Sequence, residues 1–482
     1  MIAMNNKIVE LCGILAGLGL FLSGCLVGET DEGELTSELA TEPEVNLRVD
    51  ESEDTELLEL SHQASQAAAR AELGAEAVTP GDFDASFGSG GLALYSVTSF
   101  NNLTSDSMVL QADGKIVGSG TLKDSNGCYV FVARYNSDGS PDGTFAGGSG
   151  ISITQISVNS NCYSAHVDLQ SSGKLVVAAT RDDSSSSDFV LLRYHANGSL
   201  DSTFGVGGMV VHNYVLHDQA RDVVVQPDDK ILLAGFSSNN NNTDFVIVRF
   251  TSSGYVDTSF GFSGRAILDF NNGSNDNLSE IALQPNGKIL AVGYTFSSSA
   301  PDFALARFHS SGSRDYSFGS SGRQILDIFG STDIAHAIAV QSDGRILVAG
   351  DAYHSSLSRY YMTILRLNSN ATAFDSSFGN SGATYVSFGP TWNVISDVAL
   401  QSDGKIVAAG YTDARNANYD VALLRYNSNG SLDSAFLGDG GFSFDVPTNS
   451  HDLGKSLAIQ NDGKILVGGD SSDRIMFTRH WN

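Results

Sequence analysis

Two tryptophans, four cysteines and eight prolines in 482 residues rule out several common designs at once. So few cysteines exclude a fold held mainly by disulfides. Lysine and arginine number 27 against 55 acidic residues, for a formal net charge of −28. Nucleic acid and anionic headgroups are poor partners for such a chain, because binding them rests on clustered cations. Beyond residue 22 there is no long apolar run, so no later segment reads as a spanning helix. Also missing are a Gly-x-Ser-x-Gly elbow, a His-Glu-x-x-His pair and a phosphate loop. No catalytic set, metal site or cofactor is expected.

What is present begins with a leader. Lys7 precedes an apolar run from Ile8 to Leu22, which ends in Leu22-Ser23-Gly24-Cys25. A short charged region, an apolar core and small residues before a cysteine have the build of a secretory signal over residues 1–24. Leu-Ser-Gly-Cys resembles the bacterial lipobox. The resemblance implies cleavage before Cys25, lipidation of its sulfur and attachment to a membrane of a bacterial envelope, the outer membrane or cell surface before the inner. Several acyl chains hold a protein stably where one would not.

From Leu26 to Pro80 fifteen acidic residues face only Arg48 and Arg70, and aromatic and β-branched residues are sparse. Such a segment cannot bury enough apolar surface to offset its ordering entropy, so residues 25–80 read as a self-repelling tether. It carries −13 of the net charge and leaves about −15 for residues 81–482. An acidic body suits solubility, cations or a basic protein patch.

That body is a tandem repeat. Gln111-Ala-Asp113-Gly114-Lys115 returns at Gln170, Gln226, Gln284, Gln341, Gln401 and Gln460, with spacings of 59, 56, 58, 57, 60 and 59. An Asp-x-x-Phe-Gly motif keeps step at Asp84, Asp201, Asp257, Asp315 and Asp375, with degenerate copies at Asp142 and Asp433. Arg134, Arg193, Arg249, Arg307, Arg366, Arg425 and Arg479 each close an apolar run. These three columns together resemble the bacterial delta-60 repeat proteins, over roughly residues 81 to 482. The resemblance implies a β-propeller and no particular activity.

Within the fifth unit, strands are expected at Ala337 to Gln341, Ile346 to Gly350 and Tyr361 to Leu367, with a fourth after a glycine, as at Gln324 to Phe329. Asp-Gly between the first two reads as a tight hairpin with both central residues at positive φ. Four short strands per unit predict an all-β, seven-bladed propeller of four-stranded blades, with a linear solenoid as runner-up. An unpaired first strand, Leu92 to Val97, is expected to complete the last blade and close the ring.

In such blades the recurrent motifs share one face, where a residue repeated in every unit is structural. The other face varies, and variable loops are where binding resides. Eight residues before the glutamines lie Asp218, Asp276, Asp333, Asn393 and Asp452, expected in loops and read as turn caps, with a cation- or ligand-facing ring as the alternative. Four residues before them lie Ser107, His166, Asp222, Glu280, Ala337, Asp397 and Ser456, expected at the start of the innermost strands around a central channel. His217 with Asp218, Asp333 with His336 and His451 with Asp452 are neighbouring His–Asp pairs with no nucleophile placed beside them. Trp392 is the one tryptophan on this face, so a sugar platform would lean on tyrosines. Turns such as Asn427-Ser-Asn429-Gly430 lack the spaced carboxylates of a calcium loop.

Cys128 and Cys162 remain once the leader and Cys25 are set aside. Placed in a loop pair at one end of one blade, they are expected to form a disulfide. The functional expectation is a non-catalytic binding or scaffold module that holds a protein or an envelope glycan. The rival is a hydrolase or lyase working at the channel mouth through His166, Asp222, Glu280 and Asp397.

Overall fold

Consecutive apolar residues such as Ile346-Leu-Val-Ala and Phe303-Ala-Leu-Ala leave no polar face for water, so strands built from them must be covered on both sides. The computed structural model describes residues 78–482 apart from 98–99, 159–160, 183–185, 215–216, 239–241, 272, 298–299, 416–417 and 447–450. The leader, Cys25 and nearly all of the tether lie outside these described residues.

Strand β1 (Leu92–Ser96) is followed by β2 (Asn101–Leu110), β3 (Ile116–Asp124), β4 (Gly127–Tyr135) and β5 (Ile151–Val158). Next come β6 (Cys162–Leu169), β7 (Leu175–Asp182), β8 (Ser187–Tyr194), β9 (Met209–His212), β10 (His217–Val225), β11 (Ile231–Ser238), β12 (Thr243–Phe250) and β13 (Arg265–Leu268). The chain continues through β14 (Asp276–Leu283), β15 (Ile289–Thr295), β16 (Asp302–Phe308), β17 (Arg323–Leu326), β18 (Asp333–Val340), β19 (Ile346–His354), β20 (Arg359–Leu367) and β21 (Ala383–Val386). It ends with β22 (Asn393–Leu400), β23 (Ile406–Arg415), β24 (Asn418–Tyr426), β25 (Gly441–Phe444), β26 (Asp452–Ile459), β27 (Ile465–Ser471) and β28 (Arg474–His480). Among the described residues there is no α-helix, only a 3-10 turn at Ala146–Gly148.

The fold is an all-β propeller of four-stranded blades, but seven separate blades are not what the hydrogen bonding builds. Five four-stranded sheets stand alone: β2–β5, β14–β17, β18–β21, β22–β25, and β26–β28 completed by β1. The strands β6 to β13 form one eight-stranded sheet instead. A single parallel pair, His217 with Ser187, makes the join. The physical reason is one extra residue: β10 begins one position before Asp218, whereas β14, β18, β22 and β26 begin at Asp276, Asp333, Asn393 and Asp452 themselves. Strand β9 stops opposite Phe189 and leaves the edge of β8 open at Ser187. His217 occupies it.

The inner strands run longer than the repeat pattern suggested, so the column expected in loops opens each inner strand from β14 onward, at Asp276, Asp333, Asn393 and Asp452. Each inner strand also carries a register shift, as between Leu278 and Glu280 or Ala335 and Ala337. The residues four before each glutamine therefore sit just beyond a bulge rather than at a strand start. The hairpin after β18 is different too: Gly344 N–H donates to Gln341 O, and Gly344 alone takes positive φ, +86°. In the third unit Asp229 fills that place at φ 62°.

The recurrent columns build one scaffold node per unit. Arg307 Nε donates to Asp315 Oδ2 at 2.7 Å, Lys288 Nζ reaches the same oxygen at 2.8 Å, and the guanidinium lies 4.7 Å over the Phe318 ring. A second guanidinium nitrogen donates to Ser369 O in the next unit at 2.6 Å. Phe87, Phe145, Phe204, Phe260, Phe318, Phe378 and Phe436 are all fully buried, and burying each contributes about 1.5–3 kcal/mol. At the seam Arg479 pairs with Asp84 at 2.7 Å and also donates to Ser137 O, so the last unit is tied to the first.

Candidate functional site

The bulges decide what faces the central axis. A strand normally sends alternate side chains to opposite sides, but an inserted residue re-aims its neighbours. The bulged positions include Asp106, Arg221, His336 and Lys455. Lys455 bridges Asp470 at 2.6 Å and Asp106 at 3.2 Å, joining β26, β27 and β2. His336 Nε2 meets Asp351 Oδ1 at 2.6 Å. Arg221 lies 5.4 Å over the Phe236 ring. Asp106, Arg221 and Lys455 lie close enough to His166 to act on its charge, and burial, which disfavours the charged form, holds its pKa down to about 4.

The next tier is acidic. Asp222 Oδ2 accepts from Ile281 N–H at 2.9 Å, Glu280 Oε2 from Ile338 N–H at 2.7 Å, and Asp397 Oδ2 from Leu457 N–H at 2.7 Å. Each carboxylate thus braces the inner strand of the following unit. Asp168 does the same to Val225 N–H at 2.7 Å. Burial pushes Asp222 and Asp397 up to about 7, and Asp222 is raised further by Asp168 and Asp397. Glu280 is raised well above the usual carboxylate range by burial and by the charges of Asp397 and Asp222. Asp222, Glu280 and Asp397 are therefore close enough to feel one another. Both oxygens of Asp222 and of Asp397 already accept backbone N–H groups, whereas Glu280 uses one.

Asp218, Asp276, Asp333 and Asp452 do not join that tier. Each is wholly buried at the start of an inner strand or next to it. Their Oδ2 atoms accept from the N–H groups of Tyr214, Phe270, Ile328 and Val446 at 2.6–2.7 Å, which fastens the approach to the strand. The His–Asp neighbours in the sequence are not pairs in space. His336 turns to Asp351, and His451 Nδ1 accepts from Tyr419 N–H at 3.1 Å. His217 is exposed while Asp218 points inward.

Trp392 is 40% exposed and stacks on Tyr360, with ring centroids 4.5 Å apart and planes 12° from parallel. Tyr353 packs on Tyr360 at 4.9 Å. In the next unit Tyr419 packs on Tyr411 at 5.2 Å and on His451 at 4.9 Å. Aromatics from loops and strand ends thus gather on the variable face.

Cys128 and Cys162 are bonded, with Cα atoms 5.7 Å apart. They do not belong to one blade. Cys128 lies in β4 and Cys162 opens β6, so the bond joins two sheets.

Asp106, Arg221, Asp351, Lys455 and Asp470 were not singled out from the sequence. Two successive polar residues in an inner strand, such as Arg221-Asp222 or Lys455-Ser456, were the available signal, since strict alternation cannot hide both.

A family model described as a domain of unknown function (DUF5122) β-propeller matches residues 111–145, 170–204, 226–260, 284–318, 341–378, 401–436 and 460–475. These matches support an uncharacterised β-propeller repeat family. No curated protein matches the sequence. Among solved structures, a protein of unknown function from Dyadobacter fermentans is 11% identical, with 69% of this chain and 97% of that one covered at a TM-score of 0.39. The polysaccharide lyase Uly1 is 10% identical, with 86% and 95% covered at a TM-score of 0.44. A glucose dehydrogenase is 10% identical, with 66% and 96% covered at 0.40.

Proposed function

We propose that this propeller is a non-catalytic recognition module whose variable face holds an envelope glycan. The observation that carries the reading is the Trp392–Tyr360 stack, flanked by Tyr353 and, one unit on, by Tyr411 and Tyr419. Flat apolar rings with polar edges suit the faces of sugar rings. The opposite face is occupied by the Arg–Asp–Lys nodes and has little chemistry free for a ligand. Trp392→Ala is expected to cost about 2 kcal/mol or more of binding to an envelope polysaccharide, with the melting temperature unchanged because the ring is partly exposed. Calorimetric titration with polysaccharide fractions measures it. Unaltered glycan binding by the variant, or binding only to a protein, sinks the glycan reading.

The raised carboxyls on the axis favour a second reading, a hydrolase or lyase acting through Glu280. Against it, Asp222 and Asp397 are fully engaged by backbone. Polysaccharide turnover abolished by Glu280→Gln would establish the enzyme.

The same proposal includes display as a delta-60 repeat lipoprotein from Cys25 on the outer membrane or cell surface, at the end of the acidic tether. Mass spectrometry of native protein should find an acylated N-terminal Cys25. An unmodified chain starting at a later residue refutes that part alone.

A further inference from the structure

Three junctions between successive units carry the same trio of aspartates. One member stands near the start of the third strand of a unit (Asp244, Asp302, Asp420), one just past its fourth (Asp269, Asp327, Asp445), and one opens the next inner strand (Asp276, Asp333, Asp452). In each trio one carboxylate oxygen from every member lies within 4.8 Å of the others. Like charges so placed repel strongly once removed from water. Acidity alone identifies no ligand.

Asp333 supplies the further observation. On the neighbouring strand, Ser237 faces Asp218, Thr295 faces Asp276, Thr412 faces Asn393 and Ser471 faces Asp452. The hydroxyls of Ser237, Thr295 and Thr412 donate to the carboxyl or amide oxygen they face, as Thr295 does to Asp276 Oδ1 at 2.5 Å and Thr412 to Asn393 at 2.8 Å, whereas Asp452 Oδ1 has no hydrogen-bond partner among the described residues. Opposite Asp333 stands Ala352, whose side chain has nothing to donate. Asp333 is 0% exposed, its Oδ2 takes Ile328 N–H at 2.7 Å, and its Oδ1 has no hydrogen-bond partner among the described residues. The hydroxyl of Tyr385 is also buried without a hydrogen-bond partner among the described residues. A buried carboxylate oxygen with no donor is costly unless something positive meets it.

We propose that Asp302, Asp327 and Asp333 bind a calcium ion at the junction of β16 and β17 with β18. The donors are all oxygen, which selects a hard cation over zinc or copper. Two oxygens each about 2.3–2.6 Å from one calcium stand at most about 5 Å apart, and the trio meets that limit. Calcium also tolerates the irregular geometry of carboxylates fixed to three strand ends, where magnesium demands a near-ideal octahedron.

The test is calorimetric titration of the full chain with calcium chloride after removal of metal by EDTA and dialysis, beside a thermal melt. Saturable binding and a higher melting temperature with calcium are expected. Asp333→Asn, a side chain the fold already uses at Asn393, should remove one equivalent. Ala352→Ser, which restores the hydroxyl found at Ser237 and Ser471, should weaken calcium about ten-fold or more at this site and raise the melting temperature of the stripped protein. If Asp333→Asn does not fold, Ala352→Ser still decides. Absence of saturable calcium binding in the wild type overturns the proposal. So do wild-type stoichiometry and affinity in whichever variants fold, and tighter binding of magnesium than of calcium.

Discussion

Gly350 shows how one residue type follows from one backbone feature. It pairs with Ala335 at the edge of the bulge in β18, and a Cβ placed on it would lie 2.0 Å from Ile334 O. The same contact recurs at Gly235, Gly293, Gly410 and Gly469, each against an inner-strand carbonyl. The second unit has Ala179 nine residues after its glutamine, as Gly350 is in the fifth. There the shift falls between Tyr163 and Ala165, and Ser164 takes φ 47° instead. Gly350→Ala is therefore expected to destabilise by about 1–3 kcal/mol through overpacking, or to displace the bulge and with it His336. A urea melt with an unchanged midpoint would show that the carbonyl yields freely. None of this was legible as a bulge in the sequence, because a glycine in a strand also fits a bend or a simple close approach. The Arg, Asp and Phe columns were legible for the opposite reason, since every unit needs the same node. The lysine of each Gln-x-Asp-Gly-Lys turn completes that node, as Lys115 does to Asp142 at 2.9 Å, yet position along the chain alone gave it no partner.

At the scale of strands, what the repeat spacing carries is the order of elements, and what it omits is where each ends. Continuous apolar runs located the second and third strands because those are buried on both faces, as the patterns of β19 and β20 show. The inner strands alternate weakly and carry a bulge, so their first turn of chain looked like loop. That error moved Asp218, Asp276, Asp333 and Asp452 out of the strands they open or adjoin. It also put Cys162 in the wrong blade. The bond to Cys128 was foreseeable from the cysteine count, but its role as a staple between sheets depends on Cys162 being the first residue of β6. The merging of β6 through β13 into one sheet was not foreseeable at all. It turns on a single additional residue at the head of β10, which no column of identical residues marks.

For the whole molecule, the ring places carboxyls where solvation is poor, and this sets how stability answers to pH. Burial raises Asp222 and Asp397 to about 7 and Asp333 to about 8, and raises Glu280 as well. In the unfolded chain these groups titrate near about 4. Between those values the folded protein holds protons that the unfolded chain has released, so stability falls as pH rises through the folded values. His166 and His480, held down to about 4 by burial, act in the opposite sense, but only below the ordinary histidine value of about 6.5. The Arg-paired aspartates, such as Asp84 and Asp257 at about 2, lose their contribution only in stronger acid. From pH 6.5 to 8.5 the axial and junction carboxyls thus set the slope among the shifted groups. The melting temperature in EDTA should fall steadily across that window, and Glu280→Gln, which keeps an acceptor for Ile338 N–H without the charge, should flatten part of the decline. Calcium should flatten another part by holding Asp333 ionised. A melting temperature that is level or rises from pH 6.5 to 8.5 in EDTA would mean that water or counter-ions reach the axis and solvate these carboxylates after all.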